Sequence, residues 1–309
     1  MEELKAITFD SDGLDNMSVY IRQNAVSIVF KTGEPWTILS QIEQSIKSKI
    51  ERYGTPLKEW NIDIQYGVKT GLNEAFIIPL NVKNKLISED PKSAEIIRPI
   101  LRGRDIEKDS IHFSDLYLIA LFPSKNYDIE EFPAIKNWLI NGEWVQIKTK
   151  NNPPTPIGSG KMRLMQSGST VEFEGVSFKT RKKTSNKWFE TQDSIKYWDD
   201  FFKPKVFYRE ISEQMNSVYT EENIFINNKA YIITGKDVTP SLASFLNSQL
   251  FTKIILSGAN STGGKGPKFL LNARVPNIIR DSNSVTEQEI VEYYNFAARE
   301  LQYLNDLFQ

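Results

Sequence analysis

Hydrophobic positions recur along this chain with two periods, and the switches between them mark out its elements. Near the N-terminus Val19, Ile21, Val26, Ile28 and Phe30 read as a strand or two. Leu39, Ile42, Ile46, Ile50 and Tyr53 then fall three and four apart, which predicts an amphipathic helix over 38–53. Ser40 with Glu43 forms a capping-box pattern at its start, Thr37 competes as N-cap, and Gly54 is placed to end it. From Ile62 the period drops to two: Ile62, Ile64, Tyr66 and Val68 predict a half-buried strand. A turn over Thr70, Gly71, Leu72 and Asn73 leads to a second strand at 75–78. Ser93 to Ile100 reads as a short helix stopped near Pro99, and Leu116 to Phe122 as a buried strand. Glu130 to Ile140 reads as a helix with Pro133 in its first turn.

Residues 149–170 break both periods and are rich in Pro, Gly, Ser and Asn, so a loop or mobile excursion is expected there. Val171, Phe173, Val176 and Phe178 follow as a strand with Gly175 as a bulge, and Lys205 to Ile211 as another. Ile224 to Ile226 and Ala230 to Ile233 read as a hairpin about Asn227 and Asn228. Ser241 to Leu256 predicts a helix, followed by the glycine-rich stretch 257–268. Thr286 with Glu289 caps a last helix reaching Phe308. Strands and helices alternate without a βαβ rhythm, so the expected class is α+β, a mixed sheet with flanking amphipathic helices.

Composition narrows the chemistry. The 309 residues contain no cysteine and one histidine, His112, which excludes zinc fingers, iron–sulfur sites, thiol nucleophiles and His-rich metal centres. Thirty-eight Lys and Arg against 39 Asp and Glu leave a net charge of −1. A mean hydropathy of −0.40 without a long apolar run argues against a membrane span. The acidic N-terminal segment has no apolar core of a secretory signal, so a cytoplasmic protein is expected.

Two short motifs invite a chemical reading. Asn152-Pro153-Pro154-Thr155 resembles the NPP-aromatic loop of amino-methyltransferases, but Thr155 replaces the aromatic ring that stacks on a flipped base, and a Pro-stiffened loop is the simpler reading. Gly263-Gly264-Lys265 departs from a phosphate-binding P-loop at both ends, with Ala259 and Gly266 at positions the motif needs otherwise. The charge map says more. Between 145 and 190 nine bases face three acids, and between 248 and 280 five bases face none. A basic middle under a near-neutral total fits a polyanion-binding face.

One stretch is more specific. Residues 66–78, YGVKTGLNEAFII, resemble the YGIKTGLNEAF block of combined restriction–modification enzymes, at the start of their TaqI-like C-terminal specificity domain. Further blocks follow in order: 97–106, Phe202 to Val206 leading to Glu210 and Ile211, 230–235, Leu246 to Ser248, and Arg274 to Pro276. The segment with Trp36, Ser40 and Lys49 resembles the connector after a methyltransferase domain, so the resemblance spans roughly 36–280.

The resemblance implies a target recognition domain at 61–280, preceded by N-terminal strands and connector helix (1–60) and followed by a C-terminal helix (281–309). It implies double-stranded DNA as partner, with the methyltransferase or nuclease region of a parent enzyme as the other. The family's catalytic sites normally precede this region. The chain is therefore expected to be a C-terminal piece of such an enzyme or a separately encoded specificity polypeptide. S-adenosylmethionine and a divalent metal are expected in the parent and no cofactor in this chain. Candidate DNA contacts are Lys69, Arg102, Arg104, Lys161, Arg163, Gln166, Arg181, Lys182, Lys183, Lys265, Lys268 and Arg274. Among them Arg163 and Gln166 are expected to read bases and Arg181, Lys182 and Lys183 to anchor phosphates. Arg102 and Arg104 stay open between DNA contact and a turn with an internal Arg–Asp pair. A complete divergent DNA methyltransferase and a non-catalytic protein–protein adaptor are the alternatives.

Overall fold

A computed structural model describes residues 3–6, 17–29, 39–212, 214–256 and 266–308. The chain folds as two compact units, one of residues 1–62, 210–216 and 235–309, the other of 63–209 and 217–234. This differs from the expected division, because residues 235–280 fold with the terminal segments rather than with the middle of the chain.

The middle unit is built on two four-stranded sheets. One runs in the order Ser217–Thr220, Lys205–Arg209, Ala230–Gly235, Ile62–Tyr66. The other runs Phe225–Ile226, Ile97–Leu101, Leu116–Ile119, Ile77–Pro79. Phe225–Ile226 lies parallel to Ile97–Leu101, and the remaining pairs of that sheet are antiparallel. One continuous core fills the unit, with Phe76, Phe122, Phe201, Phe207 and Phe225 all fully buried. Phe201 and Phe225 stack with ring centres 4.2 Å apart.

Several elements differ from the periodicity reading, each for a physical reason. Ile226 and Ala230 do not face each other in a hairpin. Asn227 and Asn228 instead form a corner that hands the chain from one sheet to the other. The Asn227 side chain holds that corner by accepting from the Gly103 and Lys229 amides, both at 3.1 Å. Gly67 is required there, since a Cβ would sit 2.1 Å from the Asn227 carbonyl oxygen. The segment expected as a helix over 93–100 is a 3-10 turn, Pro91–Glu95, followed by the strand Ile97–Leu101, whose Ile97, Ile100 and Leu101 are buried. Residues 73–76 form a helical turn before the strand Ile77–Pro79. Gly175 is not a bulge: with Glu174 it makes the turn of a hairpin, both at positive φ (48° and 77°), between Thr170–Phe173 and Val176–Lys179.

In the other unit the helix Gln41–Tyr53 carries the expected capping box, with Ser40 and Glu43 exchanging hydrogen bonds, while Thr37 lies outside the described residues. Val19 and Ile21 belong to a helix, Met17–Asn24, rather than a strand; Val26–Val29 pairs antiparallel to Glu3–Ala6, and Phe30 lies outside the described residues. The helix expected over 241–256 stops at Leu246 and resumes as a wider π-type turn at Phe251–Ile255. New caps restart it: Ser248 Oγ accepts from the Phe251 amide and Glu287 from the Leu250 amide. The C-terminal helix is likewise two, Glu287–Tyr293 and Ala298–Phe308, broken where Asn295 turns left-handed (φ 51°). Lys49 repairs the break, donating to the Asn295 carbonyl at 2.7 Å and to Glu300 at 2.6 Å.

Candidate nucleic-acid interface

The middle unit contains an open cleft of about 470 Å³. Three segments far apart in sequence form it: the 69–74 turn, the 149–152 loop, and the end of the hairpin at 179–182, with Gln192 and Asn228 closing the sides. The 69–74 turn is locally determined. Thr70 Oγ1 accepts from the Leu72 amide and donates to Asn73 Oδ1, and Gly71 takes φ +82°, which an L side chain rarely adopts.

Arg181 ties this turn to the long loop. Its guanidinium donates to the carbonyls of Leu164 (2.9 Å), Thr70 (3.0 Å), Glu190 (2.8 Å) and Trp188 (2.6 Å), and it lies over the Phe76 ring. Burial pushes its pKa down to about 9, with Glu190 opposing the shift. Arg163 does a similar task nearby. It is fully buried, over Trp144, and donates to the carbonyls of Val145 and Ile147 and to Thr155 Oγ1. Burial lowers its pKa too, and Glu74 partly offsets the fall. Among the described residues neither guanidinium forms an ion pair with a carboxylate, and Glu190 and Glu74 act on them only from beyond salt-bridge distance. Above them Lys69, Lys150, Lys179 and Lys182 are exposed around the opening. A low-dielectric wall holding cations, rimmed by hydrated cations, concentrates positive potential on whatever enters. Among the described residues Glu74 is the one carboxylate in the lining.

The 149–170 segment is a loop, one of the two expectations, pinned at several points and carrying one helical turn at Gly160–Arg163. Asn152 Oδ1 accepts from the Lys179 amide (2.8 Å), Thr155 Oγ1 donates to the Val145 carbonyl (2.6 Å), and Ser159 is fully buried. These bonds give Asn152 and Thr155 of the NPPT motif structural work. Among the described residues there is no group of three metal-ligating side chains, and no helix is long and apolar enough to cross a membrane.

The model of the TaqI-like C-terminal specificity domain matches residues 98–275, more than half of the sequence. The chain belongs to that family. Recognition of a DNA target in a restriction–modification enzyme is the function that goes with a specificity domain of this kind. Among solved structures it is similar to the type IIG restriction endonuclease BpuSI (13% identity, TM-score 0.43, 87% of this chain and 32% of that one). It is also similar to the type IIL restriction–modification enzyme MmeI in complex with DNA (14% identity, TM-score 0.40, 100% and 38%). The chain thus spans about a third of the length of each. No curated protein matches it.

Within this specificity domain the expected DNA contacts separate sharply. Lys69 and Lys182 line the cleft and are exposed. Arg163 and Gln166, expected to read bases, cannot do so as placed. Arg163 is spent on the loop's carbonyls, and Gln166, buried, donates to the carbonyls of Lys187 and Glu190 and accepts from Thr184. Arg181, expected as a phosphate anchor, is a clamp for the same reason. Arg102 makes the internal pair, donating to Asp105 at 2.8 and 2.9 Å and to Ser114. Burial raises the Asp105 pKa, but the bonds from Arg102 and Ser114 win and hold it below its ordinary value. Arg104, Lys161 and Lys183 are exposed but do not line the cleft, and Lys161 sits over the Trp188 ring. Lys268 and Arg274 belong to the other unit, where Arg274 donates to the Gly54 carbonyl, and Lys265 lies outside the described residues.

The cleft also holds residues that were not among the expected DNA contacts: Lys150, Lys179, Asn151, Gln192 and Asn228. The two lysines lay within the basic middle. Nothing in the linear sequence brings the three amides together.

Proposed function

We propose that the cleft binds double-stranded DNA and sets the site at which an adjoining adenine methyltransferase, and a nuclease where the parent enzyme has one, acts. S-adenosylmethionine and a divalent metal then belong to those adjoining parts, and the cell compartment is the cytoplasm. The observation that carries the reading is the gathering of four exposed lysines over two buried, unpaired guanidinium groups in a chain that belongs to a specificity-domain family. Lysines on flexible stems suit phosphates, whose spacing varies little with sequence, while the wall's fixed charge attracts any duplex.

Titration of a fluorescent duplex at several salt concentrations tests this. If the four lysines each neutralise one phosphate, log K falls against log salt with a slope of roughly −3 to −4, at ~0.9 per phosphate. A slope near zero rejects the cleft as a DNA site.

A further inference from the structure

We infer that the cleft favours adenine over guanine at the base pair it contacts, and that Gln192 is the residue that reads it, with Asn151 and Asn228 beside it. The inference rests on the cleft being a DNA site and adds what that site selects.

The usual strong reader of guanine is an arginine, whose paired donors meet the two acceptors O6 and N7. Arg181 has spent its donors on backbone carbonyls, and Arg163 has spent both terminal nitrogens on carbonyls and on Thr155, leaving only its Nε without a partner, buried out of reach of a base. Lysine can also read guanine, but the four exposed lysines here are the phosphate contacts of the reading above. The unspent hydrogen-bonding groups with a defined position are amides. An amide offers one donor and one acceptor side by side, which matches the N7 acceptor and N6 donor of adenine in the major groove and mismatches the two acceptors of guanine.

Two pairs of adjacent asparagines show how the fold divides this work. Asn152 and Asn227 are buried and use their side chains to hold backbone amides. Their neighbours Asn151 and Asn228 line the cleft, and among the described residues their side chains have no partner. Gln192 is the free amide tied to the Thr70 turn. Its backbone amide donates to the Thr70 carbonyl (3.2 Å) and its carbonyl accepts from Asn186 (3.0 Å). Its side chain lies along Gly71, where an added Cβ would come within 3.2 Å of both Gln192 Cβ and Oε1. It therefore sits on the Thr70 turn that Arg181 clamps, pre-positioned yet with its amide unspent. Such a fixed base under a free polar end loses little freedom on contact.

The test is selection of the 309-residue chain on a randomised duplex, followed by competition titrations of wild type, Gln192→Ala and the near-isosteric Gln192→Met. The expected result is a selected site with adenine at one position. Both variants should lose about 10- to 100-fold on that site and little on random duplex, with unchanged melting. Replacing that adenine by 7-deazaadenine should reproduce the loss for wild type and add nothing in either variant. Salt-sensitive binding with a selected site lacking adenine, or a preference that survives both substitutions, overturns the inference and leaves the DNA-binding reading standing. Salt-insensitive binding or none removes both. Should either variant melt lower than wild type, the 7-deazaadenine result on wild type decides: no loss overturns the inference.

Discussion

The cleft of the middle unit and the helix pair of the terminal unit both carry many charges, yet they use them in opposite ways. Around the helices Gln41–Tyr53 and Ala298–Phe308 cations meet carboxylates: Lys49 pairs with Glu300 at 2.6 Å, and Lys47 faces Glu51 at 3.9 Å. Tyr303 joins them by donating to Glu43 at 2.9 Å, and burial, first, then that bond push its pKa up to about 12. In the cleft the buried guanidinium groups meet only neutral oxygens, and the lysines face solvent. A matched cluster neutralises its own field, whereas an unmatched one projects it. Counting charges finds the excess of cations at the cleft. Only pairing and burial show which of those cations are committed and which are free to meet a ligand.

The sharpest way to break this comparison is to remove a clamp. Arg181→Ala should cost roughly 3 kcal/mol or more, because it removes four hydrogen bonds and leaves the Leu164 and Trp188 carbonyls without the donor they have, while Thr70 and Glu190 keep the Gln192 amide and Gln166; Arg181→Lys should recover little of it since an ammonium cannot reach all four. Lys182→Ala, one residue away, should stay within about 0.5 kcal/mol of wild type in a denaturant melt. Equal stability for the two alanine variants would mean that Arg181 is no clamp.

Of comparable size but governed by pH is the buried Lys205, which donates to the Lys203 carbonyl at 2.8 Å. Burial lowers its pKa to about 8, against opposition from Glu222 and Glu221. Between pH 8 and the ordinary lysine value near 10.5 the unfolded chain holds the proton that the folded chain has released. Stability attributable to Lys205 therefore rises with pH through that window, by up to about 3 kcal/mol, and the rise should vanish in Lys205→Met. Glu300 supplies the contrast. Burial raises its pKa, but hydrogen bonds from Lys49, Ser45 and the Ala297 amide outweigh that and leave it below the usual value. Its contribution is present above the ordinary glutamate pKa and is lost as pH falls through the folded value. Urea midpoints measured from pH 3 to pH 10 on wild type, Lys205→Met and Glu300→Gln check both windows. Loss of the alkaline rise in Glu300→Gln rather than in Lys205→Met would invert the assignment.

Smallest are the caps. Ser40→Ala and Thr286→Ala each remove an observed capping box and should cost about 1 kcal/mol without altering DNA binding. A binding defect in either would bring the terminal helices into the function.

These effects also show where the sequence was legible. Capping boxes at Ser40 and Thr286, the strand from Ile62 and the α+β class follow from short-range spacing. The ordered blocks from Tyr66 onward carried the family. What stayed hidden depends on contacts between distant segments. Asn227 turns a hairpin-like sequence into a corner by bonding Gly103, 124 residues earlier. Arg163 and Arg181 look like DNA contacts in a basic run, and only the fold shows that carbonyls from four separate positions consume Arg181. Gln192 acquires a neighbour at Gly71 that its own surroundings in sequence do not suggest.

The central claim, that DNA is held by the position of a few lysines and not by the number of positive charges, has a direct measurement. One variant replaces Lys69, Lys150, Lys179 and Lys182 with alanine, and a second replaces Lys47, Lys85, Lys92 and Lys136, each of which faces a carboxylate. Both lose the same formal charge. Duplex titrations from low to moderate salt should show the first variant with a slope shallower by about three to four units, at ~1 per phosphate contact, and with little affinity left. The second should track wild type in slope. Equal losses in the two variants would contradict the account.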